Sequence, residues 1–248
     1  MHANNINEVI VILKNIIAVE TEEGSPMAYF AILYHDVTVA VRDAILEQRF
    51  EDNPRMEKLD VIFANHYFDA YKAYHEDTYV SQCWKLAFES TTHFQPTILQ
   101  HILAGMNAHI NFDLSQAVID TADDDTTSLK NDFLLVNTIL SEQVDAIQDK
   151  LAKIWPIMRL LDWIAGKTDE AVIDFSMVKA REAAWEHAEV LFELSEEKRS
   201  EYRLSMDNKG AYYGNKVINP PLLVKGLTFF IRIGEGWDVQ KKIAKLYP

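Results

Sequence analysis

Residues 97–120, TILQHILAGMNAHINFDLSQAVID, constrain the fold more than any other stretch of this chain. At about 100° per residue, Leu99, Ile102, Leu103, Met106, Ile110, Leu114 and Ala117 fall on one apolar stripe of a helix. Gly105, Ala108 and Phe112 add apolar surface on another side, so the helix is expected at the centre of a bundle. Two residues break the pattern. Asp113 lies inside the stripe, and His109, four residues earlier, lies at its edge, which makes the two side chains neighbours on one face. A buried carboxylate is costly unless it is hydrogen-bonded, paired or bound to a cation.

The rest of the chain reads as helix too. Apolar spacing predicts helices over 6–19, from Ser25-Pro26 to about Phe50, from Asn53-Pro54 to about His75, and over 79–92. The stretch TADDDTT reads as a solvated acidic loop that caps a helix over 127–165, broken at Trp155-Pro156 and ended by Gly166. Thr168-Asp169 opens a helix to about Leu194. Residues 195–216 are polar and weakly patterned, and Pro220-Pro221 opens a last apolar helix interrupted by Gly234 and Gly236. With only 8 glycines and 7 prolines, the chain lacks the turn residues of a β-rich fold. The expectation is an all-α, single-domain bundle of about eight helices over 1–248, with a C-terminal helical extension over about 217–248.

The formal charge of −14 disfavours phosphate backbones, so nucleic acid is not an expected partner, and anionic membranes are disfavoured on the same ground. The single cysteine, Cys83, excludes an intrachain disulfide and a cysteine metal cluster. The N-terminus MHANNINEV has no signal-peptide pattern, and no apolar run reaches the ~18 residues of a membrane span, so a cytoplasmic location is expected. Nothing in the sequence fixes the oligomeric state.

A second anomaly lies near the middle of the 168–194 helix. Ile173, Met177, Ala180, Ala184, Ala188, Leu191 and Phe192 define its inner side, with Arg181 among them, Trp185 one turn on and Asp174 two turns before. A buried guanidinium stays charged and demands an acceptor, and Asp113 is the candidate partner. His101, Asn107 and Asn65 are further polar groups on or beside apolar faces.

HxxxD on a helix suits a divalent metal, with His109 and Asp113 as ligands. It equally suits an acid–base pair, or a hydrogen-bonded core pair satisfied by Arg181 that binds nothing. Glycine-rich nucleotide loops, GxSxG, HExxH and the paired ExxH of di-iron bundles are all absent. The leading expectation is a small-molecule site between helices built from His101, Asn107, His109, Asp113 and Arg181, with Asn65 and Trp185 nearby. As an enzyme it would be a hydrolase. His109 and Asp113 would hold a metal or act on water, and Arg181 would neutralise an anionic substrate group. The competing expectation is a non-catalytic binding or scaffold protein with a direct Asp113–Arg181 contact and no cavity beside it.

The segments RFEDNPRMEKLDVIFANHYFDAY, LQHILAGMNAHINFDLSQAV and DFSMVKAREAAWEHAE resemble an uncharacterised bacterial domain-of-unknown-function family with a GMNAHINxDL core motif. The resemblance covers about Met27 to Leu194. It implies a helical intracellular domain and carries over Asn65, His101, Asn107, His109, Asp113, Arg181 and Trp185. HxxxD is also similar to the zinc-dependent phospholipase C and single-strand nuclease class, but that class needs an N-terminal tryptophan and an HxxxE, and this chain has neither.

Overall fold

The structure, a computed structural model, describes residues 1–122, 126–140, 142 and 177–247. The expected break at Trp155-Pro156, the stop at Gly166, the start at Thr168-Asp169 and Asp174 lie outside these residues. The described residues are helix and connecting turns, with no strand among them.

The first helices start on side-chain caps that satisfy their free N–H groups. Asn5 caps α1 (Ile6–Glu22) by accepting from the Glu8 N–H, and Val9, Leu13, Ile16 and Ile17 face inward. Gly24, at φ +66°, makes the turn into α2 (Met27–Leu46). Asp52 caps α3 (Asn53–His75), and α4 (Gln82–Ser90) follows. Thr97 and Gln100 form a reciprocal capping box at α5 (Ile98–Ala108). The helix continues through a π-turn, His109–Asp113, into α6 (Leu114–Thr121). Beyond a short 3-10 turn come α7 (130–140), α8 (Met177–Glu193), α9 (Glu196–Ile218), α10 (Leu222–Glu235) and α11 (Val239–Leu246).

Among the described residues the helices outnumber the expected eight because the π-turn divides the expected 97–120 helix into α5 and α6, and for two further reasons. Residues 195–216, too polar to pattern clearly, form the long helix α9. Its inner positions are Met206, Asp207, Gly210 and Gly214, a stripe that is narrow and made largely of small residues. Gly210 packs over the Cys83 side chain and Gly214 over Leu86 and Asn107; a Cβ on Gly214 would sit 2.6 Å from Leu86. The C-terminal segment is also two helices, because Gly236 at φ +74° stops α10.

Three buried carboxylates from the second half of the chain hold helix starts in the first half. Asp132 accepts from the Glu51 and Asp52 N–H groups ahead of α3 at 2.7 and 2.9 Å. Asp207 accepts from Gln82 and Cys83 at α4 at 2.8 and 2.9 Å. Glu235 accepts from Ile98 at α5 at 3.1 Å. Each carboxyl group meets the positive end of a helix, which offsets part of the cost of burying it.

The apolar side chains pack as two cores. One gathers α1, the start of α2, the C-terminal half of α3, α4 and α5; the other gathers the end of α2, the start of α3, α6, α7 and α8. The α5–α6 rod passes through both, as its apolar surface on several sides requires, and the π-turn lies at the seam.

Candidate functional site

The π-turn sets the geometry of the expected pair. Such a turn closes on i+5 rather than i+4, so residues four apart come nearly over one another. His109 therefore moves from the stripe's edge to full burial beside Asp113, and both are 3% exposed. His109 Nδ1 lies 2.9 Å from Asp113 Oδ2. The same oxygen accepts a hydrogen bond from the indole N–H of Trp84, also at 2.9 Å. The imidazole stacks flat on Phe63, and the rings of Tyr34, Phe30 and Trp84 surround it edge-on or tilted. Burial pulls the His109 pKa below its ordinary value against the opposing pull of Asp113. A neutral imidazole beside a carboxylate donates through Nδ1, which leaves the Nε2 lone pair as an acceptor.

His109 is also on the wall of a cavity of about 100 Å³ at the seam between the cores. The wall is apolar, with Phe30, Val41, Leu59, Phe63 and Leu114 among its residues, and its polar members are Tyr34, Asp60, His109 and Arg181. Three of these carry a buried polar atom without a hydrogen-bond partner among the described residues: Tyr34 Oη, Asp60 Oδ2 and His109 Nε2. Burial raises the Asp60 carboxyl to about 7 and lifts the Tyr34 phenol well above its ordinary value. In its protonated form the Asp60 carboxyl offers both a donor and an acceptor.

Arg181 reaches the cavity from α8 but does not touch Asp113. Its Nε donates to Asn137 Oδ1 at 2.7 Å and an Nη donates to the Phe133 carbonyl at 2.9 Å. The guanidinium lies 4.4 Å over the Phe133 ring, and burial lowers its pKa to about 10. The expected Asp113–Arg181 contact is thus replaced by two separate arrangements, because Trp84 and His109 reach Asp113 from α4 and the π-turn while α7 supplies acceptors for Arg181. The scaffold expectation of no adjoining cavity is not met either.

The remaining expected residues are dispersed. His101 is a core histidine whose Nδ1 lies 3.4 Å from Ser90 Oγ; burial, then the charges of Arg232 and Lys242, push its pKa down to about 3. Asn107 donates to the Gly210 carbonyl at 2.8 Å and accepts from Asn111 at 2.9 Å, so it fastens α9 to α5. Asn65 accepts from the Ala3 N–H and donates to the Ala3 carbonyl, pinning the start of the chain. Trp185 packs on Phe133 and donates to Glu189. None of these four lines the cavity.

Among the described residues a divalent metal on His109 and Asp113 lacks a ligand set. Among the described residues no group of three or more His, Cys, Asp or Glu side chains is placed to hold an ion. The two candidate donor atoms face each other, and the Trp84 N–H, which cannot ligate, takes the same Asp113 oxygen.

Sequence reading missed Asp60 and Trp84 as site residues. Asp60 had a readable signal: Met56, Asp60, Phe63 and Tyr67 share one helical face at i, i+4, i+7 and i+11. Trp84 had none, since its role depends on how α4 meets the π-turn.

No curated protein and no solved structure matches the chain. Residues 6–220 match a family of unknown function, DUF5995, a span wider at both ends than the motifs alone indicate. With most of its length inside that match, the chain belongs to the DUF5995 family.

Proposed function

We propose that the protein binds a small molecule with an apolar body and one hydrogen-bonding or acidic group in the cavity beside His109. One observation carries this reading: three buried polar atoms with no hydrogen-bond partner among the described residues, on α2, α3 and the π-turn, belong to residues lining one apolar cavity. An unsatisfied buried polar atom costs about 1–3 kcal/mol, so three around one cavity is an arrangement that a polar ligand group relieves. At about 100 Å³ the cavity is smaller than one that accepts benzene, roughly 150 Å³, which sets the scale of the group it takes. Arg181 favours an anionic or neutral head group over a cation.

Ethanol, propionate and ethylammonium share an ethyl tail and differ in head group, so they serve as probes. The reading expects ethanol and propionate to raise the melting temperature saturably and ethylammonium to do so least. Leu114→Trp, which fills the cavity, should abolish the response. No response to any probe, or the same response in Leu114→Trp, would sink the reading.

Acid–base catalysis, as in a hydrolase, is a second reading, favoured by the Trp84–Asp113–His109 chain. Asp113 fixes the imidazole through Nδ1 and leaves Nε2 as a base toward a bound water or substrate. Hydrolysis of methyl formate, small enough for the cavity and followed by acid release, tests it. His109→Gln should lower turnover by about 10²-fold or more, and equal turnover in both proteins would remove the catalytic reading while leaving the binding one intact.

A further inference from the structure

The C-terminal helix α10 presents most of its apolar side chains to solvent. Leu222, Leu223 and Phe230 are 85%, 91% and 73% exposed, and Trp237, just past the helix, is 67% exposed. Phe229 and Ile233 are half covered. At about 100° per residue, these helical positions make one continuous face with Gly226 and Gly234, while Ile231 and Glu235 on the opposite side are buried against the body. Soluble surfaces rarely carry a contiguous apolar face of this extent without a partner for it.

The charge of the same segment identifies the kind of partner. The chain as a whole is strongly acidic, but residues 216–248 carry six lysines and arginines, Lys216, Lys225, Arg232, Lys241, Lys242 and Lys245, against only Glu235 and Asp238. Lys225, on the edge of the apolar face, and Lys241 and Lys245 on α11 are exposed. Arg232 stacks against Phe94 and Trp237, so its charge stays beside the apolar face. Basic groups beside leucine, phenylalanine and tryptophan suit the boundary of an anionic bilayer, where the apolar face enters the acyl region and the ammonium groups meet phosphate.

A spanning role does not fit. No single helix among the described residues is long and apolar enough to cross a membrane. The 14 residues of α10 reach only about 21 Å, short of the ~30 Å hydrocarbon core. Among the described residues only α9 and α10 taken together reach the length and hydropathy of a span, and the 63° bend at their junction breaks it. The family match ends at residue 220, just before α10, so the face lies outside the matched span.

We infer that α10, with Trp237 and the basic residues around it, is an in-plane docking face for an anionic lipid surface, while the acidic body faces away. The overall charge weighs against such a surface only if it is evenly spread, and it is not.

Co-sedimentation of the full chain with vesicles tests this. Phosphatidylcholine/phosphatidylglycerol vesicles should retain the protein, pure phosphatidylcholine about tenfold less, and added salt should weaken retention. Leu223→Ser/Phe230→Ser should abolish binding without moving the melting temperature, because both side chains are exposed. Lys225→Glu should weaken binding to the anionic vesicles alone. No retention on either vesicle overturns the inference, and so does equal retention on both. A concentration-dependent dimer dissolved by the serine variant, with no vesicle binding, overturns it in favour of a second copy of the chain.

Discussion

The Phe63 ring lies flat on the His109 imidazole, with centroids 3.5 Å apart and planes within 5° of parallel. Both rings line the cavity, so Phe63 keeps water from one face of the histidine. Burial is what lowers the His109 pKa. The unfolded chain then takes up a proton that the folded chain refuses, and stability is lost as pH falls through the ordinary histidine value of about 6.5. Phe63→Ala should cost about 3 kcal/mol at neutral pH. It should also return His109 toward its ordinary pKa, measured by NMR titration, and so reduce the acid-side loss of stability. An unchanged titration would mean that Phe63 does not shield the ring.

Trp84 and His109 converge on one oxygen of Asp113 from two different elements. Trp84→Phe removes the donor and also part of a fully buried indole, so lost hydrogen bond and cavity together should cost about 3–5 kcal/mol in urea unfolding. Asp113→Asn removes the charge that holds the His109 pKa up against burial. The histidine should titrate lower still in that variant. A higher His109 pKa in Asp113→Asn would contradict the assigned pairing.

Asp60 gives a stability profile of opposite sign. Its carboxyl rises to about 7 in the folded chain through burial, against about 3.9 when unfolded. The folded protein therefore holds a proton that the unfolded chain releases, and this contribution is lost as pH rises from about 4 through about 7. Asp60→Asn should remove that slope. Its stability relative to the parent should grow over the same interval by a few kcal/mol, from about 1.4 kcal/mol per pH unit, as read by unfolding at several pH values. Glu235, also raised to about 7, is present in both proteins and cancels from the comparison. A constant difference would mean that Asp60 is ionised in the fold.

Gly105 stands where α5 presses on Phe30, a residue of the cavity wall. A Cβ there would lie 2.5 Å from the Phe30 ring. Gly105→Ala gains helix propensity of about 1 kcal/mol but must displace a packed aromatic, so a net loss of about 1–3 kcal/mol is expected. Gly226→Ala, with nothing within 4 Å of the new atom, is the control and should be neutral or stabilising. Equal effects at the two glycines would refute the close approach.

What the sequence made legible follows from periodicity. The central helix announced itself through apolar residues on several sides, and His109 and Asp113 through polarity inside that pattern. Burial of Arg181 was legible for the same reason. Its partner was not: a stripe reports which way a side chain points, whereas the acceptors came from α7, and no local pattern relates α7 to α8. His101, Asn107 and Asn65 show the converse. Each is polar and buried as expected, yet each is satisfied within the fold, by Ser90, Gly210 and Ala3. The π-turn left no sequence mark, and a uniform 100° step put His109 at the edge of a face that it in fact enters fully. Helix α9 stayed obscure because glycines and a capping aspartate, not large apolar residues, make its contacts.

The imidazole nitrogens of His109 report most directly on whether the cavity is a ligand site. Long-range 1H–15N spectra at neutral pH should show a neutral ring protonated on Nδ1. On titration with ethanol, the Nε2 resonance should move saturably in the parent protein and stay fixed in Leu114→Trp. A ring that is doubly protonated at neutral pH, or an Nε2 resonance that does not respond to the probe, would contradict the account.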